Sequence, residues 1–272
     1  MSKSILLSFD TEEFDIPQEY GQPIEASVQL EVAARGLGVV LDLLDQHQIP
    51  ATFFTTAHFA VHESALMQRV ASRHEVASHG YYHSSFEESD LRRSREVLEE
   101  LVDKPVVGFR RARLMHTDHE AIERAGYRYN SSENPIYLPG RYNNFFRPRR
   151  VYLSGNLLNV PISATPIVRF PLFWLSFKNL PLTVLKAALS TTLKADGYLN
   201  LFFHPWEFTD LGAYALPGYV KRLDGAALVA RLNHLFNWLG QRGRFVTFSD
   251  FDRQVRQSQR LRVVERYREV QA

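Results

Sequence analysis

The stretch His74-Glu75-Val76-Ala77-Ser78-His79-Gly80-Tyr81-Tyr82-His83 decides how the chain is read. Glu75 to Ser78 has strand character, and it runs directly into two imidazoles four residues apart. If Gly80 opens a helical turn, His79 and His83 project from one face and reach a single ion at about 2.0–2.1 Å from each nitrogen. Zinc is the first expectation, with another divalent metal open. Among 10 histidines such a pair also arises by coincidence, so its meaning depends on what stands elsewhere.

Outward from this stretch, strand-like runs alternate with helical periodicity. Ile5–Phe9, Ala51–Thr56, Glu75–Ser78, Val106–Arg110, Tyr127–Ser131, Tyr198–Phe203 and Arg244–Phe248 read as strands. Val28–Gln46, Ser64–Ser72, Asp90–Val102, Pro181–Lys194 and Asp224–Leu239 read as helices, and Thr117-Asp118-His119-Glu120 reads as a capping box for a short helix ending before Gly126. Repeated βα units predict an α/β fold, a parallel sheet closed or nearly closed into a barrel with its site at the carboxyl ends of the strands. Polar residues end several runs: Asp10-Thr11-Glu12-Glu13-Phe14-Asp15, His79 with His83, Arg110, and His204-Pro205-Trp206-Glu207.

Composition narrows the classes. The 272 residues, 45% hydrophobic, suit one domain spanning 1–272, and a net charge of +2 with mixed signs argues against nucleic-acid binding. Cysteine is absent, so thiolate zinc sites and disulfides are excluded and any metal must use His, Asp or Glu. The opening residues have too short an apolar core for a secretory signal, which predicts a cytoplasmic protein.

The chain resembles the polysaccharide deacetylase family, also called the NodB-homology or carbohydrate esterase 4 group. The resemblance is carried by Ser8-Phe9-Asp10-Thr11-Glu12, Ala51-Thr52-Phe53-Phe54-Thr55, Ser78-His79-Gly80-Tyr81-Tyr82-His83, Gly108-Phe109-Arg110, Ala125 to Ser132, Phe203 to Glu207 and Thr247-Phe248-Ser249. It implies a distorted (β/α) barrel of seven parallel strands and metal-dependent removal of acetyl groups from N-acetylated sugars. It further implies that Asp10 is a general base, His79 and His83 are metal ligands, Arg110 orients Asp10, and His204 is the general acid. Where many members have two adjacent aspartates, this chain has Asp10-Thr11, as in a branch whose acids stand one residue apart. Glu12 is then the third ligand. Spacing by two on an extended segment returns Glu12 to the face of Asp10, whereas Glu13 points away and Asp15 stays in reserve.

A second departure is Arg110-Arg111-Ala112, which lacks the proline found in many members. This leaves the oxyanion donor unassigned, with Arg111 or Arg113 available to an anionic part of the substrate. Trp206 is a candidate to pack over a sugar face, or else plain core.

The apolar stretch 165–185 carries Arg169, Lys178 and three prolines, so it does not span a membrane. It reads as a barrel helix with its lead-in, or as a peripheral contact at the inner membrane surface that would give access to a glycolipid. Arg141, Arg147, Arg149 and Arg150 suit a phosphate or diphosphate on a lipid- or nucleotide-linked sugar. The basic tail 252–272 reads as an amphipathic helix. The expected activity is zinc-dependent N-deacetylation of an acetylated sugar or glycolipid precursor. The alternatives are a hydrolase of another small amide (a formamide or cyclic ureide) and a carbohydrate-binding module without catalysis.

Overall fold

The computed structural model describes residues 3–138, 142–258 and 262–263. Its central strand is β1 (Ser4–Thr11), buried along its whole length. On one side of it β2 (Thr52–Thr55), β3 (Glu75–Ser78), β4 (Gly108–Phe109) and β5 (Tyr129–Asn130) follow in sequence order, all parallel. The returns are made by α1 (Ala26–His47), by α2 (Ala57–His62) with α3 (Ser64–Arg73), by α4 (Ser89–Val102) and by α5 (His119–Arg124). After β5 come a separate antiparallel pair, β6 (Tyr137–Leu138) and β7 (Tyr142–Asn143), and a hairpin, β8 (Tyr152–Ser154) and β9 (Leu157–Asn159). Then α6 (Trp174–Asn179) and α7 (Leu182–Asp196) lead to β10 (Tyr198–Phe203), on the other side of β1. The chain continues through α8 (Gly218–Lys221), α9 (Gly225–Gly240), β11 (Arg244–Val246), α10 (Phe248–Gln257) and β12 (Arg262–Val263).

The seven strands expected from the sequence all form and run parallel, β10-β1-β2-β3-β4-β5 in order with β11 beside the start of β1, and β9 adds an eighth next to β5. The added strand β9 is delivered by a hairpin rather than a crossover helix. Among the described residues no ladder joins β9 to β10. Instead the Asn200 side-chain amide donates to the carbonyls of Val160 (3.0 Å) and Pro161 (3.1 Å), and the Ser163 backbone N–H donates to Asn200 O at 3.1 Å. The sheet therefore curls into a partial barrel whose seam is bridged by the side chain and backbone of the buried Asn200.

Alternation along β1 sorts its side chains between two cores. Ile5, Leu7 and Phe9 join the large cluster under the helices, and Leu6 joins the smaller one inside the curl with Phe54, Tyr129, Tyr198 and Phe248. Ser8 and Asp10 share the parity of Leu6, which sends them inward toward Arg110.

The capping expectation shifts by one residue, since Asp118 rather than Thr117 accepts from the Ala121 N–H of α5, the carboxylate being the stronger acceptor. The tail departs further. Among the described residues it is helical to Gln257, and Arg262–Val263 pairs parallel with Tyr152–Leu153. Strand β8 presents an open edge there, and adding a strand satisfies its backbone groups. The rest of the predicted tail, like Arg141, lies outside the described residues. In 165–185, Leu172, Trp174, Phe177 and Leu185 are buried as α6 and α7 pack on the sheet. Among the described residues no helix is long and apolar enough to cross a membrane.

Candidate metal centre and catalytic cleft

Asp10 near the end of β1 and Glu12 just beyond it both line one open cleft, together with His83, His204 and Trp206. The two-residue spacing does bring both carboxylates to one side. Glu13, one residue on, faces the other way. It accepts from Thr56 Oγ1 at 2.8 Å and sits 2.8 Å from His58 Nδ1.

His79 and His83 follow β3, but not through a helical turn. Gly80 adopts φ 89°, a left-handed backbone that turns the chain at once. The rings nevertheless lie nearly parallel, 6.1 Å apart. Nε2 of His79 and Nε2 of His83 stand 3.1 Å and 3.2 Å from the same Glu12 oxygen. All three side chains are buried, and their ligand atoms fall within 4.8 Å of one another. Donors held tetrahedrally at about 2.0–2.1 Å stand about 3.3 Å apart, so the cluster fits a small divalent cation. Asp15 lies behind it. Its carboxylate accepts from His83 Nδ1 at 2.7 Å, which turns Nε2 toward Glu12. Asp15 is thus a support of His83, not the third member of the cluster.

The electrostatics suit a cation. Burial alone would raise the Glu12 pKa, but His83, His204 and His79 hold it far below the usual carboxylate range. Burial alone would lower that of His83, yet Glu12 and Asp15 push it up to about 9. In the absence of an ion, the site's demand for positive charge falls on an imidazole.

On one flank Arg110, fully buried, donates from Nη1 to Asp10 Oδ1 at 2.5 Å and to Ser8 Oγ at 3.0 Å. Its Nε and Nη2 donate to Ser131 O (3.1 Å) and Ser131 Oγ (3.0 Å), and its plane lies 4.0 Å over the Phe54 ring. Burial lowers the Arg110 pKa and Asp10 opposes the shift.

On the other flank His204 ends β10. Its Nδ1 is 3.1 Å from Glu207 Oε1, which also accepts the His204 backbone N–H at 2.8 Å. Glu207 Oε2 is 3.2 Å from Nζ of Lys178, both side chains wholly buried. Burial would lower the His204 pKa, but Glu12 and Glu207 raise it. Helix α1 packs closely against this turn because residue 36 is glycine, where a Cβ would lie 2.0 Å from the Pro205 carbonyl oxygen. Glu207 was legible as an acid three residues from a histidine. Lys178 was signalled only as a lone charge in an apolar run, a pattern that calls for a buried partner.

Two expectations about the cleft change. Trp206 is 1% exposed. It stacks on His204 with ring centroids 4.9 Å apart and donates its indole N–H to Glu12 Oε1 at 3.3 Å, so its polar edge serves the acidic group. Arg111 does not line the cleft. Its guanidinium lies 3.3 Å over the Phe86 ring, where burial lowers its pKa to about 10. Arg113 lines the wall instead, paired with Glu19 at 2.9 Å on a left-handed backbone shared with Leu114.

A model of the polysaccharide deacetylase family matches residues 2–129, the part that carries Asp10, Glu12, His79, His83 and Arg110. A chitooligosaccharide deacetylase of Rhizobium leguminosarum bv. phaseoli is 40% identical over 63 residues, 22% of this chain and 28% of that protein's length. Among solved structures, a Mycobacterium smegmatis protein assigned as a polysaccharide deacetylase superposes with TM-score 0.66 at 20% identity, covering 99% of this chain and 96% of its own. A Pseudomonas aeruginosa PAO1 protein with the same assignment gives 0.64 at 14% identity, over 95% of this chain and 92% of that one. The Puue allantoinase gives 0.61 at 16%, over 94% and 91%. Residues 2–129 are thus similar to the polysaccharide deacetylase family, and the chain shares the barrel fold of these solved structures along nearly its whole length.

Proposed function

We propose that the chain hydrolyses the N-acetyl group of an amino sugar, using a divalent metal held by Glu12, His79 and His83, with zinc the first choice for a set of two imidazoles and a carboxylate. The observation that carries this reading is the placement of two independently supported groups, Asp10 and His204, with the Glu12–His79–His83 cluster in one cleft. Bound there, the metal would acidify water toward a pKa of about 7 and polarise the acetyl carbonyl.

The chain's own residues do the rest. Asp10, held in place by Arg110, takes a proton from the attacking water. His204, kept protonated beside Glu207, gives a proton to the departing nitrogen, because an amine leaves only when protonated. The apolar walls of Phe173, Trp174 and Leu175 suit the acetyl methyl and a sugar face. Arg113 and Asn134 offer hydrogen bonds to sugar hydroxyls.

The same groups would serve another small amide such as a cyclic ureide, and the shared barrel of an allantoinase gives that reading its one specific support. A binding module without catalysis has no use for Arg110 behind Asp10 or Glu207 behind His204. The test is acetate release from N-acetylated chitooligosaccharides, with metal content by elemental analysis. About one metal per chain, lost in His79→Ala together with acetate release, supports the proposal. Ring opening of a cyclic ureide to its ureido acid, with acetylated sugars left intact, favours the second reading. No metal after incubation with zinc sinks both.

A further inference from the structure

Beside the cleft mouth the chain exposes large apolar side chains that the proposed reaction does not use. Ile167 and Val168 are 89% and 72% exposed, and Phe146 on a neighbouring loop is 90% exposed. Single exposed apolar residues are ordinary, but a group of them on adjoining loops marks a contact surface.

The loop that carries the first two is built to hold them out. Ala164 bridges Pro171, Thr165 N donates to Phe170 O at 2.9 Å, and Phe170 N donates to Thr165 Oγ1 at 2.9 Å, so the segment closes on itself. Within it Ile167 adopts φ 68°, a left-handed conformation that a β-branched residue rarely takes, and Arg169 adopts φ 52°. The loop is fastened to its neighbours by Arg169, whose guanidinium donates to Arg147 O at 2.7 Å and to Pro135 O at 3.4 Å. Pro135 adjoins Asn134 of the cleft wall, and Leu138, 43% exposed, lines the same cleft. The apolar tips and the cleft therefore share one rim.

The charge of this region has one sign. Between Glu133 and Asp196 the chain carries no Asp or Glu, but eight Lys and Arg. Asp196 neutralises Arg149, Glu207 neutralises Lys178 and Glu133 faces Arg147 at 4.0 Å, while Arg150, next in sequence to the Arg149 that donates to Ala164 O, is exposed. Apolar tips grouped on two adjoining loops beside an exposed arginine do not form the flat continuous face that a protein partner packs against. They suit a fluid apolar layer beneath anionic headgroups.

We propose that this rim docks the protein onto an anionic lipid bilayer, with Ile167, Val168 and Phe146 entering the headgroup boundary and the cleft opening toward it. A sugar carried on a membrane lipid would then reach Glu12 and Asp10 without leaving the surface; that consequence rests on the hydrolytic reading, but the docking does not.

The experiment is co-sedimentation of the full chain with large vesicles of phosphatidylcholine, with and without about one-third phosphatidylglycerol, at about 0.1 M salt. The wild type is expected to bind the mixed vesicles and to release as salt rises. The double variant Ile167→Asn with Phe146→Ser should partition at least roughly tenfold less. Arg150→Gln should weaken binding about fivefold. Asparagine tolerates the left-handed backbone at 167, so the double variant should keep its fold, and its circular dichroism and zinc content should match wild type. Absence of binding to the mixed vesicles, or equal binding by the variants, overturns the proposal whatever the chain hydrolyses. So does a concentration-dependent dimer, seen by light scattering and abolished by the same substitutions, since the tips would then cover a second copy.

Discussion

The Trp206 indole N–H donates to Glu12 Oε1 across 3.3 Å, while Glu12 Oε2 faces both His79 and His83. One carboxylate oxygen is thereby tied to the barrel wall and the other is presented to the imidazoles. Trp206→Phe keeps the ring but removes the donor, and the freed carboxylate can rotate. The expected result is a metal affinity about 10–100-fold weaker, read by competition with a chromophoric chelator.

The three nearby acids separate by the same measurement. Glu12→Gln should all but abolish metal binding, because it removes the only carboxylate in the cluster. Asp15→Asn should weaken it about 10–100-fold through the looser His83 ring. Glu13→Gln should leave it unchanged, since Glu13 is engaged with Thr56 and His58. Equal losses in all three would refute the assignment of Glu12.

Asp10 and Arg110 form a buried pair whose members are unequal under substitution. Arg110→Met strands the Asp10 charge in the barrel and also orphans Ser131 O, so a loss of about 3–5 kcal/mol in denaturant unfolding is expected. Asp10→Asn keeps an acceptor for Arg110. Its expected signature is a folded, metal-binding protein with hydrolysis reduced at least about a hundredfold.

Burial holds the His74 imidazole down to about pH 4 in its pKa, against 6.5 for the free side chain. The folded chain thus binds fewer protons at this site than the unfolded one between those values. The stability it contributes is full above about pH 6.5 and is lost as pH falls toward 4, to the extent of about 2–3 kcal/mol. His74→Gln, which cannot charge, should flatten that slope in urea titrations across the window. An unchanged slope would show that other groups set it.

Much of this was readable from sequence because the carriers were local and periodic. Strand β3 and strand β10 fall where apolar runs placed them. The parity of Asp10 and Glu12 follows from the two-residue repeat of a strand. What escaped was set by contacts between distant segments. Strand β9 is only three residues long, and the seam beside it depends on Asn200 meeting Val160, which no local pattern announces. Arg111 and Arg113 are indistinguishable in sequence. They part because a left-handed residue at 113 turns one guanidinium to the cleft while Phe86 captures the other.

Lys178 gives the last prediction. It lies in the apolar stretch that reads as core, and its ammonium sits 3.2 Å from Glu207, the residue that holds His204. A charge buried there is tolerated because its partner is equally buried. Lys178→Met alone takes the cation away from the buried Glu207 Oε2 and should cost about 3–5 kcal/mol in unfolding free energy. Adding Glu207→Gln removes the stranded charge, so the double variant should recover most of that loss. It should still hydrolyse slowly, because a neutral amide holds the His204 imidazolium less firmly than a carboxylate does. Additive losses in this double-mutant cycle would mean that the two side chains act independently and that α6 has no part in presenting His204.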